Sequence, residues 1–198
     1  MWNIVLGPPG TGKTTYLLDK VEDFLNSGVR PEKLGYVAFT KKAANEALVR
    51  AVSKFGYDPK ELTYFRTLHS LCYSWLGMTR SDVMARNNLR DFSRIIGERI
   101  NSAWDGENIM SLASKGDRML FLENMARCQC TGQRETWNTS DSNISWLHFE
   151  WFIKNYSKYK EANFLIDYTD MLEMFIASKG KPELDVLIID EAQDLSTL

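Results

Sequence analysis

The sequence predicts an α/β protein: a largely parallel sheet with helices on both faces, interrupted by a mainly helical insertion. Three observations predict it. Strand-like and helix-like patterns alternate through residues 1–80, and a glycine-rich loop stands between the first strand and the first helix. After a stretch of helical spacing over 81–178, the apolar run Val186-Leu187-Ile188-Ile189 resumes the strand pattern.

The elements follow in order. Ile4 to Leu6 reads as a short apolar strand. Lys13 to Leu25 reads as a helix whose Leu17, Leu18, Val21, Phe24 and Leu25 keep the helical period, ended by Gly28 and Pro31. Leu34 to Phe39 is the next strand and Lys42 to Phe55 an alanine-rich helix. After the turn at Gly56–Asp58, Leu62 to Phe65 forms a third strand that enters a helix over Thr67 to Leu76. The insertion holds candidate helices at Asn88–Ile100, Gly116–Arg127, Ser145–Tyr159 and Tyr168–Ala177, with polar stretches Asn101–Asn108 and Thr131–Asn143 between them. The sheet returns at Asp185–Asp190, so residues 1–80 and 179–198 are expected to form one domain and 81–178 the insertion.

Composition narrows the class. With 198 residues, 44% of them hydrophobic, the chain is long enough to bury its own core, which excludes disordered and low-complexity proteins. The net charge of −2 excludes a strongly basic nucleic-acid coat but not a nucleic-acid enzyme. The charge is uneven: residues 1–70 carry +3 and residues 161–198 carry −7. Three cysteines give no paired disulfide framework and fit a reducing compartment. No apolar run approaches the roughly 20 residues of a spanning helix, so a cytoplasmic protein without a membrane partner is expected.

Gly7-Pro8-Pro9-Gly10-Thr11-Gly12-Lys13-Thr14 matches the phosphate-loop pattern G-x-x-x-x-G-K-[ST], placed after an apolar strand and before a periodic helix. Glycines let the backbone turn tightly enough to aim successive N–H groups at phosphate oxygens, and the helix start adds its own donors. Lys13 can reach terminal phosphates, and the Thr14 hydroxyl can ligate Mg²⁺. The expected complement is an acid at the end of a buried strand, and Asp190-Glu191 supplies it: Asp190 for Mg²⁺, Glu191 to orient or deprotonate water. The ligands implied are ATP and Mg²⁺.

Four blocks in order resemble the first RecA-like domain of superfamily 1 DNA helicases of the UvrD/Rep/PcrA kind. They are Gly7–Thr14, Ala38-Phe39-Thr40-Lys41-Lys42-Ala43-Ala44, Thr67-Leu68-His69-Ser70-Leu71 and Asp190-Glu191-Ala192-Gln193-Asp194. Asp167-Tyr168-Thr169-Asp170-Met171-Leu172 resembles the family's acidic-aromatic segment, and the helical stretch lies where the family inserts its subdomain 1B. The resemblance implies an ATP-dependent helicase or translocase acting on single-stranded DNA or a single-strand/double-strand junction. It gives Lys13 and Thr14 phosphate and magnesium roles, Asp190 and Glu191 magnesium and water-activating roles, and Gln193 a nucleotide-sensing role. It places Phe39, Thr40 and Lys41 in one DNA-lining block and Thr67, His69 and Ser70 in another. Read from the residues alone, Phe39 suits a core position as well as a base stack, and His69 a polar helix start as well as a phosphate contact.

Departures from the family pattern are specific. Position 41 is lysine where the family more often has asparagine, which adds charge. The family's upstream glutamine segment for adenine and its second RecA-like domain, which brings arginines to the cleft, have no counterpart in these residues. The expectation is the ATP-binding part of a larger helicase, inactive in unwinding by itself. The alternative is a one-lobed nucleotide- or DNA-binding accessory protein. Cys128-Gln129-Cys130 has the wrong spacing for structural zinc, and His148 and the tryptophans of 75–151 read first as packing residues.

Overall fold

The computed structural model describes residues 3–8, 10–101, 114–140, 143–179 and 181–194; Pro9 and Trp104 lie outside them. The chain divides into two compact units, one running to Leu71 and resuming at Lys181, the other beginning at Cys72.

The first unit is built on three parallel strands, β1 (Leu34–Ala38), β2 (Tyr64–Thr67) and β3 (Val186–Ile189), in the order β2-β1-β3. Every residue of β1 is buried, as a central parallel strand requires. Helices α1 (Lys13–Asn26) and α2 (Lys41–Phe55) bury Leu18 and Val21, and Ala44, Ala47 and Ala51, into the same core as Leu34, Tyr36, Phe65 and Ile188. The alanines recur at helical spacing, so α2 turns a face of small side chains toward that core. Thr40 caps α2 by accepting from the Ala43 N–H at 3.1 Å, and Gly56 ends it at φ 74°.

Two expectations shift in this unit. Ile4–Leu6 is not a strand: the segment has no regular structure, with Ile4 83% and Leu6 90% exposed. Three residues make a short run for a strand, and among the described residues no ladder partner holds them. β2 starts at Tyr64 rather than Leu62, because pairing Gly35 with Tyr64 fixes the ladder, while Leu62 enters the core from the preceding turn. Helix α3 (Leu68–Trp75) follows β2 directly.

The second unit is helical. It comprises α4 (Arg86–Ile96), α5 (Lys115–Cys128), α6 (Gln133–Thr139), α7 (Trp146–Ala162) and α8 (Tyr168–Ala177), with one isolated bridge, Val83 to Ile166, among the described residues. Phe92 centres its core, with ring centroids 5.3 Å from Tyr156 and Tyr159 and 5.6 Å from Phe152. Helix α6 occupies a stretch that reads as polar loop, since seven residues with one aromatic cannot display a helical period. Its Trp137 indole nevertheless donates to the Ile144 carbonyl at 2.7 Å.

The acidic-aromatic segment begins α8. Asp167 and Asp170 form its capping box, and both carboxylates meet cations from other helices. Arg127 lies 3.1 Å from Asp167, and the Lys160 ammonium lies 2.6 Å from each aspartate. Arg127 also pairs with Glu173 at 2.9 Å and Glu123 at 3.3 Å. Burial, and then the Asp167 charge, push the Glu123 carboxyl up to about 7.

Candidate functional site

The glycine loop is built as its sequence requires. Gly10 and Gly12 hold φ of 79° and 82°, a region that side-chain-bearing residues rarely adopt. The Thr11 hydroxyl donates to the Pro8 carbonyl at 2.8 Å, and Gly12 caps α1. Lys13 folds back over the loop, its ammonium donating to the Gly7 carbonyl at 3.0 Å. The next residue, Thr14, donates its hydroxyl to Asp190 Oδ2 at 3.0 Å.

Asp190 stands just past β3, only 4% exposed, with its N–H donating to the Val37 carbonyl at 2.9 Å. A second hydroxyl reaches the same Oδ2: that of Tyr36 in β1, at 2.7 Å. Burial, then the bond to Asp190, hold the Tyr36 phenol protonated far above its ordinary range, so it is the donor. Glu191 follows at φ 53°, a strained conformation for a glutamate, with Oε1 3.8 Å from the Lys13 ammonium. The Gln193 amide donates to Glu191.

The fold therefore gathers Gly7, Pro8, Gly10, Thr11, Gly12, Lys13 and Thr14 from one end of the chain and Asp190, Glu191 and Gln193 from the other. Thr14 and Asp190 offer a hydroxyl and a carboxylate oxygen, the hard donors that suit Mg²⁺, which takes one or two protein ligands and completes its shell with phosphate and water. Among the described residues no cluster of three or more His, Cys, Asp or Glu has a metal-binding arrangement.

The remaining candidates lie at or just past the C-terminal ends of β1 and β2, which are adjacent and parallel and so deliver their last and following residues side by side. Phe39 and Thr40 are half-buried and Lys41 is exposed at the start of α2; the Thr40 hydroxyl is engaged as the cap of that helix. Thr67 is 4% exposed, and its hydroxyl accepts from the Ser70 N–H at 3.2 Å. Ser70 is exposed and His69 half-buried. Burial first, then the Lys41 charge, lower the His69 pKa below the ordinary histidine value.

Tyr36 is the site residue that the sequence does not single out. Its one signal is a hydroxyl-bearing aromatic within a strand expected to be buried, where the hydroxyl needs a partner.

A parallel sheet, a glycine loop opening a helix and a carboxylate at a strand end make this a RecA-like α/β protein carrying a helical subdomain. The chain belongs to the UvrD/REP helicase family, whose N-terminal domain matches residues 2–198. It is 26% identical over 215 residues to a probable DNA helicase of Mycoplasma pneumoniae, covering 97% of this chain and 39% of that protein. It is 22% identical over 206 residues to the ATP-dependent DNA helicase Rep of Buchnera aphidicola, covering 96% of this chain and 30% of that protein. A probable DNA helicase II homolog of Mycoplasma genitalium is 35% identical over 78 residues, covering 39% of this chain and 11% of that protein. The chain thus spans well under half the length of these relatives. Among the described residues no helix is long and apolar enough to cross a membrane.

Proposed function

We propose that this chain is the ATP-binding part of an ATP-dependent DNA helicase that couples hydrolysis to movement on single-stranded DNA. The observation that carries the reading is the meeting of Thr14 with Asp190 at 3.0 Å, beside Lys13 and Glu191, in a family member.

Phosphate oxygens would take the place of the Gly7 carbonyl as partners of the Lys13 ammonium, with the loop N–H groups beside them. Thr14 and Asp190 would hold Mg²⁺, which when bound neutralises charge on the terminal phosphates. Glu191 would accept a proton from, or orient, the attacking water, and the strained backbone that presents it fits a functional position. Gln193, bonded to Glu191, would report the state of that carboxylate to neighbouring segments. A second RecA-like domain would supply cationic groups to the far side of the γ-phosphoryl. Phe39, Thr40, Lys41, Thr67, His69 and Ser70 would form one wall of the DNA path, with Thr40 and Thr67 shaping it through their capping bonds.

Calorimetry with Mg-ADP tests the reading. Wild-type protein should bind, and Lys13→Ala protein should lose tenfold or more in affinity, since an ammonium facing phosphates is removed. Equal affinity in the two would overturn it.

A further inference from the structure

Strand β1 reads Leu34-Gly35-Tyr36-Val37-Ala38, and its tyrosine lies outside all four motif blocks. Tyr36 is fully buried, its ring stacked on Phe65 at 5.4 Å between centroids and 17° between planes. The register explains where its hydroxyl goes. Tyr36 sits opposite Ile188 in β3 and Phe65 in β2. Alternate residues share a sheet face, so Asp190, two beyond Ile188, lies diagonally from Tyr36 on the same face. A phenol spans that diagonal and arrives 2.7 Å from Asp190 Oδ2.

Thr14 donates to the same oxygen from α1, so neither hydroxyl occupies Oδ1. Two donors on one oxygen remove the carboxylate's freedom to rotate, and the Phe65 stack removes that of the phenol. Thr14 is itself a candidate metal ligand, whereas the Tyr36 hydroxyl, carried on a buried ring, is directed at Asp190.

We propose that Tyr36 is a positioning residue for a divalent cation: its hydroxyl fixes Asp190 so that Oδ1 is presented to the metal of a bound nucleotide. The inference rests on the nucleotide-site reading above and adds to it a residue from the middle of the sheet. Packing does not require the hydroxyl, because phenylalanine would fill the same space and keep the stack. What the hydroxyl adds is orientation of a ligand, and losing such an outer partner costs metal sites about tenfold or more in affinity.

The test compares wild type with Tyr36→Phe by calorimetric titration of ADP, once with Mg²⁺ and once with the metal chelated, after circular dichroism has verified that both are folded. The gain in ADP affinity that Mg²⁺ produces should fall about tenfold in the variant, while the chelated affinities agree, since Tyr36 touches no phosphate-binding group. Mn²⁺ paramagnetic resonance in the presence of ADP should show the same weakening directly. An equal metal-dependent gain in both proteins would overturn the role of Tyr36 and leave the nucleotide site standing. Wild-type protein whose ADP affinity ignores Mg²⁺ would overturn both.

Discussion

The Thr14 hydroxyl donates to Asp190 at 3.0 Å although the two stand 176 positions apart in the chain. The bond joins the first turn of α1 to the end of β3, so the loop and the acid are held together before any ligand arrives. Thr14→Val keeps the side chain's shape and removes the donor. Its expected effect is a tenfold or greater loss of Mg-ADP affinity, with Thr14→Ser close to wild type. Calorimetry on the three proteins checks this, and valine equal to threonine would remove Thr14 from the metal site.

How much of this was legible in the sequence depends on range. The loop residues are contiguous and the Asp190-Glu191 pair ends a recognisable strand, so local spacing is enough to find them. Helix α8 was legible to the residue, because Asp167 and Asp170 form a cap written in four positions. Tyr36 was not legible as a partner of Asp190, because that contact depends on the register between β1 and β3, which no local pattern encodes. Ile4–Leu6 failed for the opposite reason: its composition is that of a strand, but a strand exists only through its neighbours. Leu62 shows the same limit, an apolar residue that is buried without belonging to the ladder.

Arg127 ties α5 to α8, with a side chain only 13% exposed and partners at Asp167, Asp170 and Glu173. Arg127→Met would preserve much of the volume and leave the half-buried Asp167 and Asp170 with Lys160 as their nearest cation. Stability should drop by about 3–5 kcal/mol, the usual cost of breaking a buried pair from one side. Urea unfolding measures it, and a loss below about 1 kcal/mol would show that the network carries little.

Glu123 gives that network a pH dependence. Its carboxyl sits at about 7 in the folded chain against an ordinary 4.5. Between those values the folded state keeps a proton that the unfolded state has lost, so stability falls as pH rises from about 4.5 to 7. Glu123→Gln keeps an acceptor for Arg127 and removes the titration. The variant should match wild type near pH 4.5 and exceed it at pH 8 by up to roughly 3 kcal/mol. Asp167, held low by Lys160 and Arg127 against its burial, works in the opposite direction and interacts with Glu123, so the difference between the unfolding midpoints of the two proteins reports the interacting pair. A difference that does not change with pH would refute the assignment.

His69 and Lys41 stand past neighbouring strand ends, close enough for the lysine charge to depress the histidine. At pH 7.5 the imidazole is therefore neutral and Lys41 supplies the charge of this surface. On the proposed DNA path, acidification should convert His69 into a second cation facing phosphate and tighten binding to single strands. Fluorescence anisotropy with labelled oligothymidine at low salt, at pH 7.5 and 5.5, reads this out. The same depression means that the His69 contribution to stability is whole above about 6.5 and is lost as pH falls below it, so folding is verified at the lower pH. Wild type should bind more tightly as the pH falls, to the extent that His69 takes up a proton, and its salt slope should steepen by up to about 0.7, the value for one added phosphate contact on a single strand. His69→Ala should remove most of that response, while His148, the other histidine, remains in every variant. Lys41→Ala should weaken binding at pH 7.5 and shift the acid response to higher pH, because the charge that depressed the imidazole is gone. A response to acid that is the same with and without His69 would take the imidazole off the DNA path, and binding unchanged by Lys41→Ala would take the start of α2 off it as well.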